Sequence, residues 1–196
     1  QYSPRMFHLT LKNFSTPAGE FACERDFVER LASKYVRDRS FADEILHKRE
    51  HSLELQLPFL GRLKGTPKIV PILTGGFGPG VMSGGLPGEN EEYASFVSAL
   101  TECLKEWATR GKKVCLIAAV DMAHLGRSFG DPGKLSPQLM SEVAKRDLTY
   151  LDLIKTNDRR GLVAHIALDR DSRRICGFPS MYTFMDLFDR LNQRYE

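Results

Sequence analysis

The sequence predicts an α/β fold, a layered structure in which helices flank a central mixed or parallel sheet. Several long segments have apolar residues at every third or fourth position, which is typical of amphipathic helices. Short apolar runs between these segments are typical of buried strands. Only about three such strands are recognisable, against the ~5–6 of a typical sheet. We therefore expect a sheet that is incomplete within these residues.

The size and composition favour one folded domain and exclude several classes of protein. A chain of 196 residues, 42% hydrophobic and 27% charged, can bury a core and does not have the composition of a disordered protein. The net charge of +3 is scattered, without the basic stripe of a nucleic-acid-binding protein. The apolar run 114–120 is too short to span a bilayer. We expect neither nucleic acid nor a membrane as a partner, and the oligomeric state stays open.

The chain begins with a predicted strand over Met6–Lys12. A loop is predicted at Asn13–Gly19, because Asn, Ser, Thr, Pro and Gly cluster there. Helices are predicted over Glu24–Tyr35 and over Ser52–Leu63. The second of these contains Pro58, which should kink or restart it.

A short buried strand is predicted at Lys68–Leu73, and the glycine-rich stretch Gly75–Gly88 is predicted to be a long loop that could cover a site. Glu91–Arg110 has the pattern of an amphipathic helix, ended by Gly111. Lys113–Val120 is a near-continuous apolar run, typical of a strand buried on both faces. Three more helices are predicted over Pro137–Ile154, Arg159–Leu168 and Phe178–Arg194.

The cysteines indicate an intracellular protein. Cys23, Cys103, Cys115 and Cys176 are widely spaced and include no close pair. Such spacing is typical of reduced thiols rather than of a disulfide framework. A cytoplasmic location is therefore expected.

Asp121, His124 and Gly126 follow the strand predicted at Lys113–Val120. In open α/β sheets, ligands bind just beyond the carboxyl ends of the strands. An aspartate and a histidine at this position can share a hydrogen bond, which would fix the imidazole tautomer and make the ring a better general base or acid. The alternative is an aspartate that caps the loop and a histidine that lies on the surface.

The tripeptide Glu50-His51-Ser52 stands at the start of the predicted Ser52–Leu63 helix. Together with Glu54, it could form a polar cluster around the imidazole. The alternative is that Ser52 caps the helix and that the helix dipole favours the acidic residues. From the spacing alone, capping is the better explanation.

Cys176 and Gly177 directly precede the last predicted helix. A cysteine near a helix N-terminus, with Arg173 and Arg174 beside it, should form a thiolate readily, which suits a metal ligand or a nucleophile. The alternative is a tight turn in which the thiol packs inward.

In their order along the chain, these three motifs resemble those of the Memo family, the AmmeMemoRadiSam system protein B group of bacteria. The resemblance covers essentially all 196 residues. Memo-like proteins are similar in fold to class III extradiol (LigB-like) dioxygenases, which are α/β proteins with a non-haem iron site. The resemblance therefore implies an extradiol dioxygenase-like fold and a metal-dependent site.

The resemblance also implies roles for single residues. Cys176 corresponds to a metal ligand, and His124 corresponds to an acid/base histidine with Asp121 as its neighbour. A thiolate makes a soft site, for which non-haem iron is expected and copper or zinc are alternatives. The family's two N-terminal histidine motifs are absent here, so two further histidine ligands are expected outside this chain. We therefore expect one Memo-like domain over residues 1–196, truncated at its N-terminus.

Two functions from different classes follow from the resemblance. The first is a metal-dependent oxidoreductase, dioxygenase-like in chemistry, that acts on a small molecule. The second is a non-catalytic scaffold that retains the fold and binds a peptide or small ligand, since similarity of fold does not establish chemistry. A hydrolase with Cys176 as nucleophile and His124 as base lacks a recognisable oxyanion motif and ranks last.

Overall fold

A computed structural model describes residues 3–17, 19–63, 65 and 67–191. The chain divides into two compact units: the first comprises Gln1–Gly75 and Glu91–Ala119, and the second comprises Gly76–Asn90 and Val120–Glu196. The expected single domain stays a prediction, because this division does not show whether either unit folds alone. None of the described helices has both the length and the apolar character needed to cross a bilayer.

The described residues form both helices and strands, which agrees with the predicted α/β class. The strands are β1 (Phe7–Leu9), β2 (Phe14–Thr16), β3 (Gly19–Phe21) and β4 (Ile72–Thr74). The helices are α1 (Arg25–Lys34), α2 (Arg37–Ser40), α3 (Leu57–Leu60), α4 (Pro79–Met82), α5 (Glu91–Thr109), α6 (Pro137–Lys155), α7 (Arg159–Leu168) and α8 (Phe178–Leu191). A central sheet flanked by helices stays a prediction.

The strands of the first unit form two small antiparallel sheets, in which β1 pairs with β4 and β2 pairs with β3. β1 confirms the strand predicted within Met6–Lys12. The loop predicted at Asn13–Gly19 is wrong, because a hairpin forms there. Phe14 and Phe21 lie opposite each other in this hairpin and are buried with Leu57 in a small core.

Helices α1 and α5 form the main core of the first unit and confirm the helices predicted over Glu24–Tyr35 and Glu91–Arg110. Phe27 of α1 meets Trp107 of α5 edge to face, with ring centroids 5.0 Å apart. Phe96 of α5 stacks on Phe7 of β1 at 3.8 Å. Because aromatic side chains bury large apolar areas, these contacts join helix and sheet into one core.

The helix predicted over Ser52–Leu63 is much shorter in the structure. Only Leu57–Leu60 forms an α-helix, and Pro58 lies in its first turn. Proline has no N–H group to donate and is tolerated in the first turn but not in a helix interior. The helix therefore begins at Leu57, directly before the proline, and does not extend through it from Ser52.

The strand predicted over Lys113–Val120 is not found in the described structure. Residues 112–125 have no regular secondary structure. Val114 and Ile117, expected to be buried, are 48% and 51% exposed. A strand needs the N–H and C=O groups of a neighbouring strand, and among the described residues no strand pairs with this segment.

Helices account for most of the second unit. α6, α7 and α8 confirm the three helices predicted there, and residues 192–194 of the last prediction lie outside the described residues. Ser136 begins α6 by accepting a hydrogen bond from the N–H of Leu139 over 3.1 Å. Asp158 begins α7 by accepting from the N–H of Gly161 over 2.8 Å. These side chains satisfy amide groups that have no partner inside the helix.

The glycine-rich stretch Gly75–Gly88, predicted to be a long loop, contains α4 and the start of a 3₁₀ turn at Pro87–Glu89. Phe77 in this stretch packs edge to face against two rings of α8. The ring centroids lie 5.7 Å from Phe178 and 5.8 Å from Tyr182. Aromatic contacts thus anchor this stretch to α8.

Two buried histidines link β1 to the 3₁₀ helix Glu44–Lys48 in the first unit. Nε2 of His47 donates to the backbone carbonyl of His8 over 3.1 Å, since a carbonyl only accepts. Nδ1 of His8 lies 4.0 Å from a carboxylate oxygen of Asp43. Burial lowers the pKa of both imidazoles below the ordinary value of 6.5, because the interior disfavours the charged ring.

We expect the free energy of unfolding to fall as the pH drops below about 6.5. In that range the unfolded chain binds more protons at the two histidines than the folded chain does, so acid favours the unfolded state. Urea unfolding between about pH 8 and pH 5 measures the slope. His47→Gln retains an N–H donor and should flatten the slope. The control His51→Gln, at a ring 71% exposed, should leave it unchanged, and equal slopes in all three proteins would contradict the assignment.

Candidate functional site

His124 is held by backbone contacts to the loop that precedes α8. Its N–H donates to the carbonyl of Arg173 over 2.8 Å, and its Nδ1 lies 3.0 Å from the carbonyl of Arg174. Because a carbonyl only accepts, Nδ1 carries the hydrogen, and Nε2 has the lone pair in the neutral ring. Phe129 contacts the ring edge to face at 4.8 Å. The imidazole therefore has a defined tautomer and orientation.

Asp121 faces the other ring nitrogen. Its Oδ2 lies 3.5 Å from Nε2 of His124, which is longer than an ordinary hydrogen bond. The sequence predicts that Asp121 fixes the tautomer. In the structure the carbonyl of Arg174 orients the ring, and the exposed carboxylate of Asp121 stands beside the nitrogen that can take up a proton or bind a metal.

Cys176 brings a thiol to the same place. Its Sγ, a carboxylate oxygen of Asp121 and a ring nitrogen of His124 all lie within 4.8 Å of one another. Sulfur, imidazole nitrogen and carboxylate oxygen are the usual ligand atoms of zinc and related metals in proteins. The fold thus brings together two of the sequence motifs that are far apart along the chain.

Gly177 allows the close approach that places Cys176 there. A Cβ atom at this position would lie 2.6 Å from the Cβ of Val120 and 2.7 Å from the carbonyl oxygen of Asp121. Only glycine fits such a contact without displacing backbone. The N–H of Cys176 also donates to the carbonyl of Arg174 over 3.0 Å, which tightens the turn before α8.

Gly126 and Asp131 close the loop that carries His124. Gly126 has φ of 99°, in the region that favours glycine, and its N–H donates to Asp131 over 2.6 Å. The same carboxylate accepts two hydrogen bonds from Arg174, of 2.8 and 2.9 Å. The bonds from Gly126 and Arg174 hold the pKa of Asp131 below its ordinary value. Arg174 also donates to the carbonyl of His124 over 2.8 Å, so the two loops are bound together.

Arg173 anchors the loop before α8 in the interior of the second unit. Its buried guanidinium donates to Asp147 over 2.8 Å and to Asp169 over 3.2 Å. Arg146 also donates to Asp169, over 2.8 Å. Burial by itself would raise the pKa of Asp169, but the hydrogen bonds and charges of the two arginines lower it below its usual range.

Sequence reasoning missed the structural roles of Arg173, Arg174 and Asp131. It treats the two arginines as charges that favour a thiolate at Cys176, whereas carboxylates bind both guanidinium groups. The partners are distant in the sequence, and no periodicity or short motif indicates such pairs. The thiolate character of Cys176 stays a prediction.

The motif Glu50-His51-Ser52 lies in the first unit and is not part of the cluster of ligand atoms. The carboxylate of Glu50 accepts from the N–H groups of both His51 and Ser52, each over 2.9 Å. Burial would raise the pKa of Glu50, but these bonds lower it. The predicted capping of a helix by Ser52 is wrong, because the helix begins at Leu57; the carboxylate of Glu50 instead binds the amide groups of the turn that follows it.

We expect Gly177→Ala to destabilise the chain by roughly 1–3 kcal/mol, because the added methyl group must displace the neighbouring backbone. The control Gly133→Ala lies in the same unit, where an added Cβ meets no atom within 4 Å. Urea unfolding of both variants measures the difference. Equal effects at the two glycines would show that the close contact at Gly177 does not exist.

Similar proteins place the chain in a family. The model of the family described as Memo-like protein matches residues 5–196. A MEMO1 family protein of Aquifex aeolicus is 25% identical over 176 residues, which cover 90% of this chain and 41% of that protein. A MEMO1 family protein of Archaeoglobus fulgidus is 38% identical over 109 residues, which cover 56% of this chain and 35% of that protein. A MEMO1 family protein of Methanosarcina barkeri is 30% identical over 166 residues, which cover 84% of this chain and 51% of that protein. No solved structure matches the chain.

These matches agree with the resemblance that the three motifs indicated. The chain spans between 35% and 51% of the length of these relatives. The family model, in contrast, covers nearly all of the chain and includes Asp121, His124 and Cys176. The chain therefore belongs to the family of Memo-like proteins.

Proposed function

We propose that this chain contributes part of a metal-dependent, dioxygenase-like oxidoreductase site, in which Cys176 binds the metal and His124 transfers a proton. The observation that carries the proposal is the cluster of sulfur, imidazole and carboxylate atoms within 4.8 Å. Groups with lone pairs that face one another repel unless a proton or a metal cation lies among them. The cluster is therefore suited to hold a cation.

The donor set fits a first-row transition metal. A cysteine sulfur suits iron, copper or zinc, and imidazole and carboxylate groups nearby suit the same metals. We propose non-haem iron as the metal, with two further histidine ligands from outside residues 1–196. When bound next to Cys176, the metal would supply Lewis-acid activation of a substrate oxygen.

His124 is arranged for proton transfer. Its Nε2 can take up a proton while Nδ1 keeps its hydrogen bond to the carbonyl of Arg174. The imidazolium that forms would lie 3.5 Å from the carboxylate of Asp121, which would stabilise the positive charge. Asp121 would thus stabilise the protonated imidazole, and the carbonyl of Arg174 orients the ring.

Cobalt(II) tests the ligand role of Cys176, because a thiolate bound to cobalt gives a charge-transfer absorption band. We expect the chain to bind Co(II) weakly and to show this band. Cys176→Ser should lose the band and weaken binding by at least about tenfold. The control Cys115→Ser changes another exposed cysteine and should retain the band. A band that survives Cys176→Ser, or that is lost with Cys115→Ser, would contradict the ligand assignment.

Oxygen consumption tests the catalytic part of the proposal. The chain, together with the polypeptide that supplies the two further histidine ligands, is loaded anaerobically with Fe(II) and then exposed to O₂ with catechol-type substrates. We expect uptake that falls about 10²–10⁴-fold in His124→Gln, because general acid–base catalysis contributes by that factor. The cobalt band should persist in this variant, which separates proton transfer from metal binding. If no O₂ is consumed with any substrate of a broad panel, the proposed oxidoreductase activity is wrong. A non-catalytic scaffold that binds a small ligand or a peptide is then favoured.

A further inference from the structure

Arg174 has a backbone conformation that is unusual for its residue type. Its φ is 52°, in the left-handed region that favours glycine. Residues other than glycine keep this conformation only where the surrounding structure holds them in it, and such residues cluster at functional sites. Arg174 lies two residues before Cys176, within the candidate site. Its contacts must therefore offset the strain of its backbone.

The carbonyl group of Arg174 contacts two residues of the candidate site. It accepts one hydrogen bond from Nδ1 of His124 and another from the N–H of Cys176, each over 3.0 Å. The direction of a carbonyl group depends on the φ and ψ angles of its own residue. If Arg174 relaxed to an ordinary conformation, its carbonyl would turn away from the imidazole and from the N–H of Cys176. The left-handed backbone of Arg174 is thus a condition for the geometry of the site.

Asp131 binds the side chain of Arg174. The guanidinium nitrogen Nη2 donates to both carboxylate oxygens of Asp131, over 2.9 and 2.8 Å. The same carboxylate accepts from the N–H of Gly126 over 2.6 Å, so it is itself fixed to the loop that follows His124. Hydrogen bonds between charged groups are roughly twice as strong as those between neutral groups. They restrain a guanidinium side chain that is 43% exposed.

We propose that Asp131 is a positioning residue for the candidate site. By binding the guanidinium group, Asp131 keeps Arg174 in its left-handed conformation, and the carbonyl of Arg174 then fixes the imidazole of His124 and the turn at Cys176. The consequence for metal binding and proton transfer rests on the proposed function, whereas the orientation of the ring does not.

Nitrogen NMR of the metal-free chain tests the proposal, because it shows which ring nitrogen carries the hydrogen. Signals that are lost in His124→Gln identify the ring, and imidazole is ordinarily neutral at about pH 8. The native ring should carry its hydrogen on Nδ1. In Asp131→Ala the hydrogen should shift toward Nε2, because the acceptor for Nδ1 has moved. Asp131→Asn should give a smaller shift in the same direction. The control Asp152→Ala removes an exposed aspartate of the same unit, paired with Lys155, and should change nothing.

A double variant shows whether Asp131 acts through Arg174. In Arg174→Gly the ring of His124 should keep its hydrogen on Nδ1, because glycine adopts the left-handed conformation without a side chain to hold it. Adding Asp131→Ala to Arg174→Gly should then have no further effect. Equal shifts in the two backgrounds would show that Asp131 acts through Gly126 instead. That result, or an unchanged ring in Asp131→Ala alone, would overturn the proposal.

Cobalt(II) relates the orientation of the ring to the metal site. Loss of a group that orients metal ligands weakens metal binding by roughly 10–100-fold. We expect a loss of this size in Asp131→Ala and native affinity in Asp152→Ala. Native affinity in Asp131→Ala would contradict a role of Asp131 at the metal site. If the native chain binds no cobalt, the proposed function is wrong, and the NMR result alone decides whether Asp131 positions His124.

Discussion

The candidate site depends on the buried guanidinium group of Arg173. Its side chain is 2% exposed, and Asp147 and Asp169 accept its hydrogen bonds. Removing one partner from a buried ion pair costs about 3–5 kcal/mol, because the remaining charge is left in the interior. The carbonyl of the same residue accepts the backbone hydrogen bond of His124. The segment that carries His124 is thus hydrogen-bonded to Arg173, whose buried guanidinium group could be moved away from its carboxylates only at a large cost in free energy.

Backbone groups, more than side chains, orient the reactive atoms. The carbonyl of Arg174 determines the tautomer of His124, and the missing side chain of Gly177 lets Cys176 approach the segment of Asp121. Carbonyl and glycine contacts have little freedom to move, so they hold a ring or a thiol more precisely than a long side chain would. The side chain of Arg174 also connects the two loops, because it donates hydrogen bonds to Asp131 and to the carbonyl of His124.

The helices were the most predictable part of the fold. The periodic apolar residues of α1, α5, α6, α7 and α8 indicate these helices almost to their ends, and the structure adds the caps Ser136 and Asp158. The strands were less predictable because pairing is not local. The hairpin at Phe14 and Phe21 lies where turn-forming residues indicated a loop, and its stability comes from a core shared with Leu57.

The sequence by itself determined where the long helices lie and that an aspartate, a histidine and a cysteine stand at two loop positions suited to chemistry. Periodicity, capping and residue type are local properties, and a single chain displays them directly. Only the tertiary structure decided that His124 is oriented by the carbonyl of Arg174 and that Glu50 caps its own turn. Hydrogen bonds between distant residues leave no pattern in the sequence. Segment 113–119 shows the same limit, since an apolar sequence favours a strand but only a neighbouring strand can supply its hydrogen bonds.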